Sequence, residues 1–401
     1  MSFEDLSKKL AKLMKETEEL ELQDVDIFAE YLEFQMLPTI VSTAAKAAGL
    51  PGKKQLGKAE WTPTSFEIDV EYPGEIEEIE FVRSNGTRCV IGGEKVPPFY
   101  DFLGPENANP NPPLVTYDVF DMGDKMSLPK PIKNEYKEVL ADPAEWAKFA
   151  VEEFGAECVT FHSLGIDPGT LDWPVSKSRE IFEDILQAVD VPVIIGCSGN
   201  KKKDVEMFKE LAAVSEDEVL LLSAADKGTW EEVVPLAVEY DHNCLLWTSL
   251  DLNNQIKMNK DAMDLGLPRN RIVMDPTCAT LGYGLEYSFS IYQRMRIAGL
   301  LGEDNLAFPI SGGTTNAWGA REAWMSEKKS KNRWGAREYR GPIWEILNAL
   351  SLALVGLDVA MMFHPISAAT FKETIDQFYG ELPEVLEEMG YYDWVSGQMK
   401  R

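Results

Sequence analysis

The sequence predicts an α/β chain built on a (β/α)8 TIM barrel, with an N-terminal helical segment and a small antiparallel β unit ahead of it. Three observations carry that expectation. Past Pro113, short apolar runs and helical patterns alternate eight times. The runs are nearly continuous in apolar residues, as strands buried on both faces of a parallel sheet must be. Eight such units over roughly 265 residues match a closed barrel in number and length. An open doubly wound sheet is the runner-up. It should carry a glycine-rich phosphate turn after its first strand, and Asp121-Met122-Gly123-Asp124-Lys125 is no such turn.

Taken in order, residues 1–60 read as helical segment and linker. Phe3, Leu6, Leu10 and Leu13 fall at helical spacing, a second helical stretch runs from Asp26 to Ala48, and Lys53 to Lys58 is a basic connector. The Phe3–Leu13 stripe is too short for a free coiled coil, so it folds back on the barrel or docks on a partner. Residues 61–113 form the β unit and an extended loop. Ser65 to Ile91 alternates apolar and polar residues, and Asn85-Gly86 marks a hairpin because both residues accept positive φ. Prolines through Pro113 keep the next loop extended. Residues 114–380 are the barrel, with strands expected at Leu114–Phe120, Cys158–Phe161, Pro192–Cys197, Val219–Leu222, Cys244–Ser249, Ile272–Met274, Ala307–Ser311 and Asp358–Phe363. The helices between them are expected at Pro143–Phe154, Val175–Val189, Asp204–Val214, Trp230–Tyr240, Asn253–Leu265, Tyr283–Leu301, Gly341–Leu354 and Ser367–Phe378. Residues 381–401 are a tail.

Composition narrows the function. A chain of 401 residues, 45 % hydrophobic and 26 % charged, can bury a sizeable core. Its 67 acidic and 39 basic residues give a formal charge of −28, which repels phosphate backbones and anionic lipid. Neither nucleic-acid nor membrane binding is expected. The N-terminus lacks a secretory apolar region, and the apolar stretch Ala349–Phe363 is too short to span a bilayer and carries Asp358. Five scattered cysteines without a C-x-x-C pair argue against a disulfide framework. The same dispersal argues against an iron–sulfur cluster or structural zinc held by this chain alone. A cytoplasmic protein is expected.

In such a barrel the working face lies at the C-terminal strand ends. These ends carry Asp118 and Asp121, His162-Ser163, Cys197-Ser198-Gly199-Asn200, Asp251, Asp275-Pro276-Thr277, Ser311-Gly312-Gly313-Thr314-Thr315-Asn316 and His364. The set is hydroxylated, amide-bearing and glycine-rich, with no Schiff-base lysine and no adjacent Ser/His/Asp relay. It suits cradling a broad polar ligand better than attacking a bond. Each member also has a plainer reading: a hydrogen-bonded structural histidine for His162 or His364, packing for Cys197, a helix cap for Asp275. His242 falls on the far face and receives no role. The run Gly312–Asn316 stands out, because paired glycines let backbone N–H groups approach a ligand closely. Trp318, Arg321, Trp324 and Trp334 then form an aromatic and basic insertion suited to a flat macrocycle or a partner protein.

Four segments in order resemble one family: Val90–Tyr100 with its GGE…PF motif, Asn111–Asp121, Met274–Ser288 and Asn316–Trp324. Together they are similar to the delta subunit of the acetyl-CoA decarbonylase/synthase complex, equivalent to the small subunit of the corrinoid iron–sulfur protein. The resemblance covers roughly residues 88 to 380, and residues 1–60 carry no assignable motif. It implies a TIM barrel paired with a larger (gamma) subunit that holds a four-iron cluster and a cobamide. The pair exchanges a methyl group, on cobalt, between a methylated tetrahydropterin and acetyl-CoA synthase. The partners it implies are that large subunit, acetyl-CoA synthase and CO dehydrogenase subunits, and a pterin methyltransferase. A cobamide, shared with the large subunit, needs dispersed donors and acceptors. The residues assigned to it are Ser198, Asn200, Asp275, Thr277, Gly312, Gly313, Thr314, Thr315, Asn316 and His364, with no catalytic residue and no metal ligand on this chain. Two alternatives stay open: a pterin-dependent methyltransferase using Asn200, Asp251 and Asp275, or a purely architectural subunit.

Overall fold

The computed structural model describes residues 71–98, 109–331 and 333–379. The expectations for residues 1–60, for the alternating stretch before residue 71, for most of the proline-rich loop and for the tail lie outside the described residues.

Alternating buried residues fold β1 (Ile79–Val82) and β2 (Arg88–Ile91) into an antiparallel hairpin, with Val82 opposite Arg88. Gly86 alone takes positive φ (89°). Asn85 instead uses its side chain, accepting from the Thr87 amide at 2.8 Å and donating to Asp190 at 3.1 Å. The turn therefore holds through one left-handed residue rather than two.

The parallel strands close in the order their sequence predicts. They are β3 (Leu114–Phe120), β4 (Val159–His162), β5 (Val193–Gly196), β6 (Leu221–Ala225), β7 (Asn243–Trp247), β8 (Ile272–Asp275), β9 (Ile310–Gly313) and β10 (Leu357–Met362), with β10 pairing back to β3. Around them stand α1 (Lys130–Glu135), α2 (Pro143–Phe154), α3 (Val175–Ala188), α4 (Lys201–Val214), α5 (Trp230–Glu239), α6 (Leu252–Asp264), α7 (Leu285–Leu300), α8 (Arg321–Trp324), α9 (Arg337–Ala353) and α10 (Pro365–Tyr379). Among the described residues no helix is long and apolar enough to cross a membrane.

Most boundaries shift by one to four residues from expectation, and three of the shifts have a clear local reason. Val219 leaves β6 because its amide and carbonyl bond Val82 of the hairpin, at 2.7 and 2.8 Å. α4 starts at Lys201 because Asn200 caps it, accepting from the Lys203 amide. α9 begins a turn ahead of Gly341-Pro342, since the Glu327 carboxylate accepts the Arg337 amide at 2.9 Å and the Arg340 guanidinium donates to the Glu322 and Met325 carbonyls.

The hairpin plugs the N-terminal mouth of the barrel. Ile79, Phe81 and Ile91 pack onto the lower inward side chains Leu114, Ile194, Leu221, Leu245 and Val273. Burying such side chains contributes roughly 1.5–3 kcal/mol each. Arg83 locks the plug, its guanidinium meeting Glu218 at 2.8 Å and the carbonyls of Leu186, Val189 and Val191 at 2.8, 2.9 and 2.6 Å. With the bottom sealed, the open end of the barrel is the C-terminal one.

Candidate functional site

The ends of β8 and β9 meet at that open end. After Asp275 the chain turns through Thr277, a β-branched residue at φ +81°, which only a well-tied segment sustains. The ties are explicit. The Thr277 amide donates to Asp275 Oδ1 at 2.7 Å, its hydroxyl donates to the Thr248 carbonyl at 2.8 Å, and its carbonyl accepts from Ser288 Oγ at 2.9 Å. Burial lifts the Asp275 carboxyl to about 7, against the pull of the Thr277 amide.

β9 runs directly into the one-turn helical loop Thr314–Gly319. Gly312 is obligatory, since a Cβ there would lie 2.6 Å from Tyr292 Oη. At Gly313 the nearest atom to a Cβ would be Asn316 Nδ2, at 3.6 Å, an ordinary van der Waals contact, so this backbone is not crowded. Thr314 is buried and donates to the Met361 carbonyl at 2.8 Å, which fixes the loop to β10. Asn316 is exposed and donates to the Cys278 carbonyl at 2.9 Å, which fixes it to the segment after β8. Gly313, Thr315 and Asn316 thus sit on a pinned, uncharged ledge beside Asp275 and Thr277.

The other assigned residues are engaged elsewhere. Ser198 donates from its amide and hydroxyl to Asp204 Oδ1 at 2.7 and 2.6 Å, and Asn200 is the cap of α4, so both organise a helix start. His364 is buried, stacks on Trp318 at 5.7 Å between centroids, and accepts the Ile366 amide at 3.2 Å. Burial lowers its pKa to about 4, so it is neutral near pH 7. Asp251 caps α6. His242 is buried and hydrogen-bonds among Ser215, Ala212 and Leu220.

A second polar group lies inside the barrel and carries no site assignment from the sequence. Asp118 is fully buried on β3, and His162 Nε2 lies 3.1 Å from its Oδ1, without the alignment of a hydrogen bond. Thr116 and Thr160 share a bond of 2.6 Å in the layer below, and Phe120 stacks on the His162 ring at 4.8 Å. Neither Asp118 oxygen has a hydrogen-bond partner among the described residues, a costly condition for a buried carboxylate. The signal was available: Thr116 and Asp118 are the polar exceptions in an apolar strand, two residues apart and so on one face. Nearby, Asp121 accepts the Gly165 amide at 2.9 Å while burial lifts its carboxyl to about 6.

The thiols offer no nucleophile. Burial pushes Cys197 and Cys278 up, and Cys244 to about 12, leaving them protonated. Cys197 packs against the main core cluster. Among the described residues no group of His, Cys, Asp and Glu could hold a metal ion.

The sequence model of the CO dehydrogenase/acetyl-CoA synthase delta subunit matches residues 78–330. The acetyl-CoA decarbonylase/synthase complex subunit delta 2 of Methanosarcina acetivorans is 44 % identical over 349 residues, covering 84 % of this chain and 78 % of that protein. Subunit delta of Methanocaldococcus jannaschii is 39 % identical over 401 residues, covering 96 % of each. Among solved structures, the dihydropteroate synthase of Xanthomonas albilineans superposes at a TM-score of 0.46 with 14 % identity, covering 68 % of this chain and 94 % of that one.

Proposed function

The chain belongs to the CO dehydrogenase/acetyl-CoA synthase delta subunit family, and from that premise we propose that it is the small half of a corrinoid iron–sulfur methyl carrier. In this reading it pairs with a large subunit bearing the cobamide and cluster. The pair carries a methyl group between a methylated tetrahydropterin and acetyl-CoA synthase. When bound, cobalt supplies both nucleophile and leaving group for the methyl group, so this chain needs neither acid nor base of its own.

The observation that supports the reading is the pinned ledge. A cobamide is wide, flat and fringed with neutral amides, so it calls for spaced, uncharged hydrogen-bonding groups beside an unobstructed backbone. Gly313 leaves that room, and Thr315 and Asn316 bring a hydroxyl and an amide with no lysine or arginine among them. These three residues fit the group. Thr277 and Thr314, whose hydroxyl protons are bound to Thr248 and Met361, hold the ledge in place instead. Ser198, Asn200 and His364, engaged as described, support the face rather than touch the ligand.

The test is co-expression with the large subunit. Gly313→Phe, and Thr315→Ala combined with Asn316→Ala, should each lower cobalt per heterodimer by about tenfold, the value of one or two lost contacts. Methyl-transfer rate should fall in parallel while the melting temperature holds. Wild-type cobalt content in both variants would remove the corrinoid from this face.

A second reading rests on the unpartnered Asp118 carboxylate and on Asp275, which titrates near neutrality. Both suit a donor-bearing ligand entering the barrel itself, as a pterin-dependent methyltransferase would require. Calorimetry of the single chain with a methylated tetrahydropterin decides between them. Binding that disappears in Asp118→Asn supports the transferase, and no binding at millimolar ligand rejects it.

A further inference from the structure

We propose that the basic, aromatic insertion at residues 321–340 and the outer ridge of α9 form one docking surface, for a protein partner whose facing patch is apolar and ringed by carboxylates. Residues 321–340 contain seven basic and three acidic residues, a local +4 in a chain of −28. Lys328, Lys329, Lys331 and Arg333 are exposed and have no ion-pair partner among the described residues. Adjoining them, Tyr339, Ile343 and Leu347 are 64 %, 48 % and 42 % exposed. Their spacing of four puts them on one stripe of α9, while Glu345, Asn348 and Leu352 on the opposite stripe are buried.

Cations and ridge form one continuous patch. The Arg340 guanidinium, at the head of the ridge, donates to the Glu322 and Met325 carbonyls and lies over the Trp334 ring, 5.8 Å from its centroid. Tyr283, itself half exposed, donates from Oη to Glu322 Oε2 at 3.0 Å and brings the start of α7 to the same patch. Large exposed apolar side chains beside arginine have the make-up of an interface centre.

Charge selects the occupant. The rest of the chain carries a net −32, so an acidic partner that meets overall repulsion meets local attraction at this patch. A nucleic acid or an anionic bilayer would extend past so small a patch onto repulsive surface. A protein, whose carboxylates can be confined to a rim around an apolar centre, does not. The surface lies on the insertion that follows β9 and makes no use of the corrinoid reading.

The experiment uses the full chain co-expressed with the other subunits of an acetyl-CoA decarbonylase/synthase complex and purified through a tag on this chain. One variant reverses the four cations (Lys328, Lys329, Lys331 and Arg333 to Glu), and a second carries Ile343→Glu and Leu347→Glu. Each should cut the recovered co-subunit at least tenfold without altering the melting temperature of the single chain, because all six side chains are exposed. The wild-type association should weaken with added salt. Wild-type recovery in both variants overturns the proposal. So does light scattering that shows the patch closing a homodimer, or binding of an RNA oligonucleotide abolished by the four reversals. Wild-type cobalt in the Gly313 and Thr315/Asn316 variants, with recovery still cut by these six substitutions, strikes the corrinoid reading alone, which separates the two failures.

Discussion

Arg296→Met should lower the unfolding free energy by about 3–5 kcal/mol, the cost of stranding buried carboxylates without their cation. For a chain of this size that is a fall in melting temperature of roughly 4–6 °C. Arg296 on α7 is 1 % exposed and reaches Glu94 Oε2 at 2.9 Å, the Gly356 carbonyl at 2.9 Å and Asp358. Asp358 also accepts the Ile310 amide at 2.5 Å, so one guanidinium ties the segment after the hairpin to the first residues of β9 and β10. Burial pushes the Asp358 carboxyl well up, and the adjacent Glu94 carboxylate adds to that even beside the arginine. Thermal denaturation of Arg296→Met and of the triple variant Arg296→Met, Glu94→Gln, Asp358→Asn tests this account. The triple variant removes the stranded charge and should recover part of the loss. A single variant within 1 °C of wild type would show that the cluster is not holding the barrel together.

The second large effect is a pH dependence centred on Glu345. This residue is fully buried on α9 and accepts the Phe363 amide at 2.6 Å, the His364 amide at 3.1 Å and Trp318 Nε1 at 3.0 Å. Burial nonetheless pushes its carboxyl to about 7. The sign follows from proton linkage. Between the unfolded value near 4.5 and about 7, the folded chain binds more protons than the unfolded one. Stability is therefore fullest below that window, falls as pH rises through it, and levels off above it. One pKa unit is 1.36 kcal/mol, so the drop attributable to Glu345 is about 3 kcal/mol. Asp275, also near 7, adds a slope of the same sign. Glu345→Gln removes one titration, so its stability difference between pH 5 and pH 8 should be visibly smaller than that of wild type. Equal slopes for both proteins would place the titrating group elsewhere.

Much of this molecule was decided locally and could be read from the chain. Eight apolar runs became eight barrel strands because strand or helix is a matter of period within ten or fifteen residues, and β3 and α2 begin and end where their patterns do. The order of closure followed from alternation, since short right-handed crossovers leave little choice. Segment order also carried the family.

Tertiary structure alone decided which polar residues at the strand ends are spent organising helix starts and which remain on the ledge after β9. Ser198 and Asn200 carry the same groups as Thr315 and Asn316. They differ because Asp204, one helical turn on, happens to receive the Ser198 donors. His364 stood at a strand end and became a buried neutral cap because Trp318 from a different unit closed over it. Asp118 and His162 came together from adjacent strands 44 residues apart in the chain, through a register no single segment encodes. Val219 was drawn out of its strand by Val82, and Glu94, Arg296 and Asp358 were joined from three distant segments. The physical reason is common to all of these. Helix and strand depend on backbone periodicity, which a short window contains, whereas burial and hydrogen-bond partnership depend on whatever distant surface the closed barrel lays against each side chain.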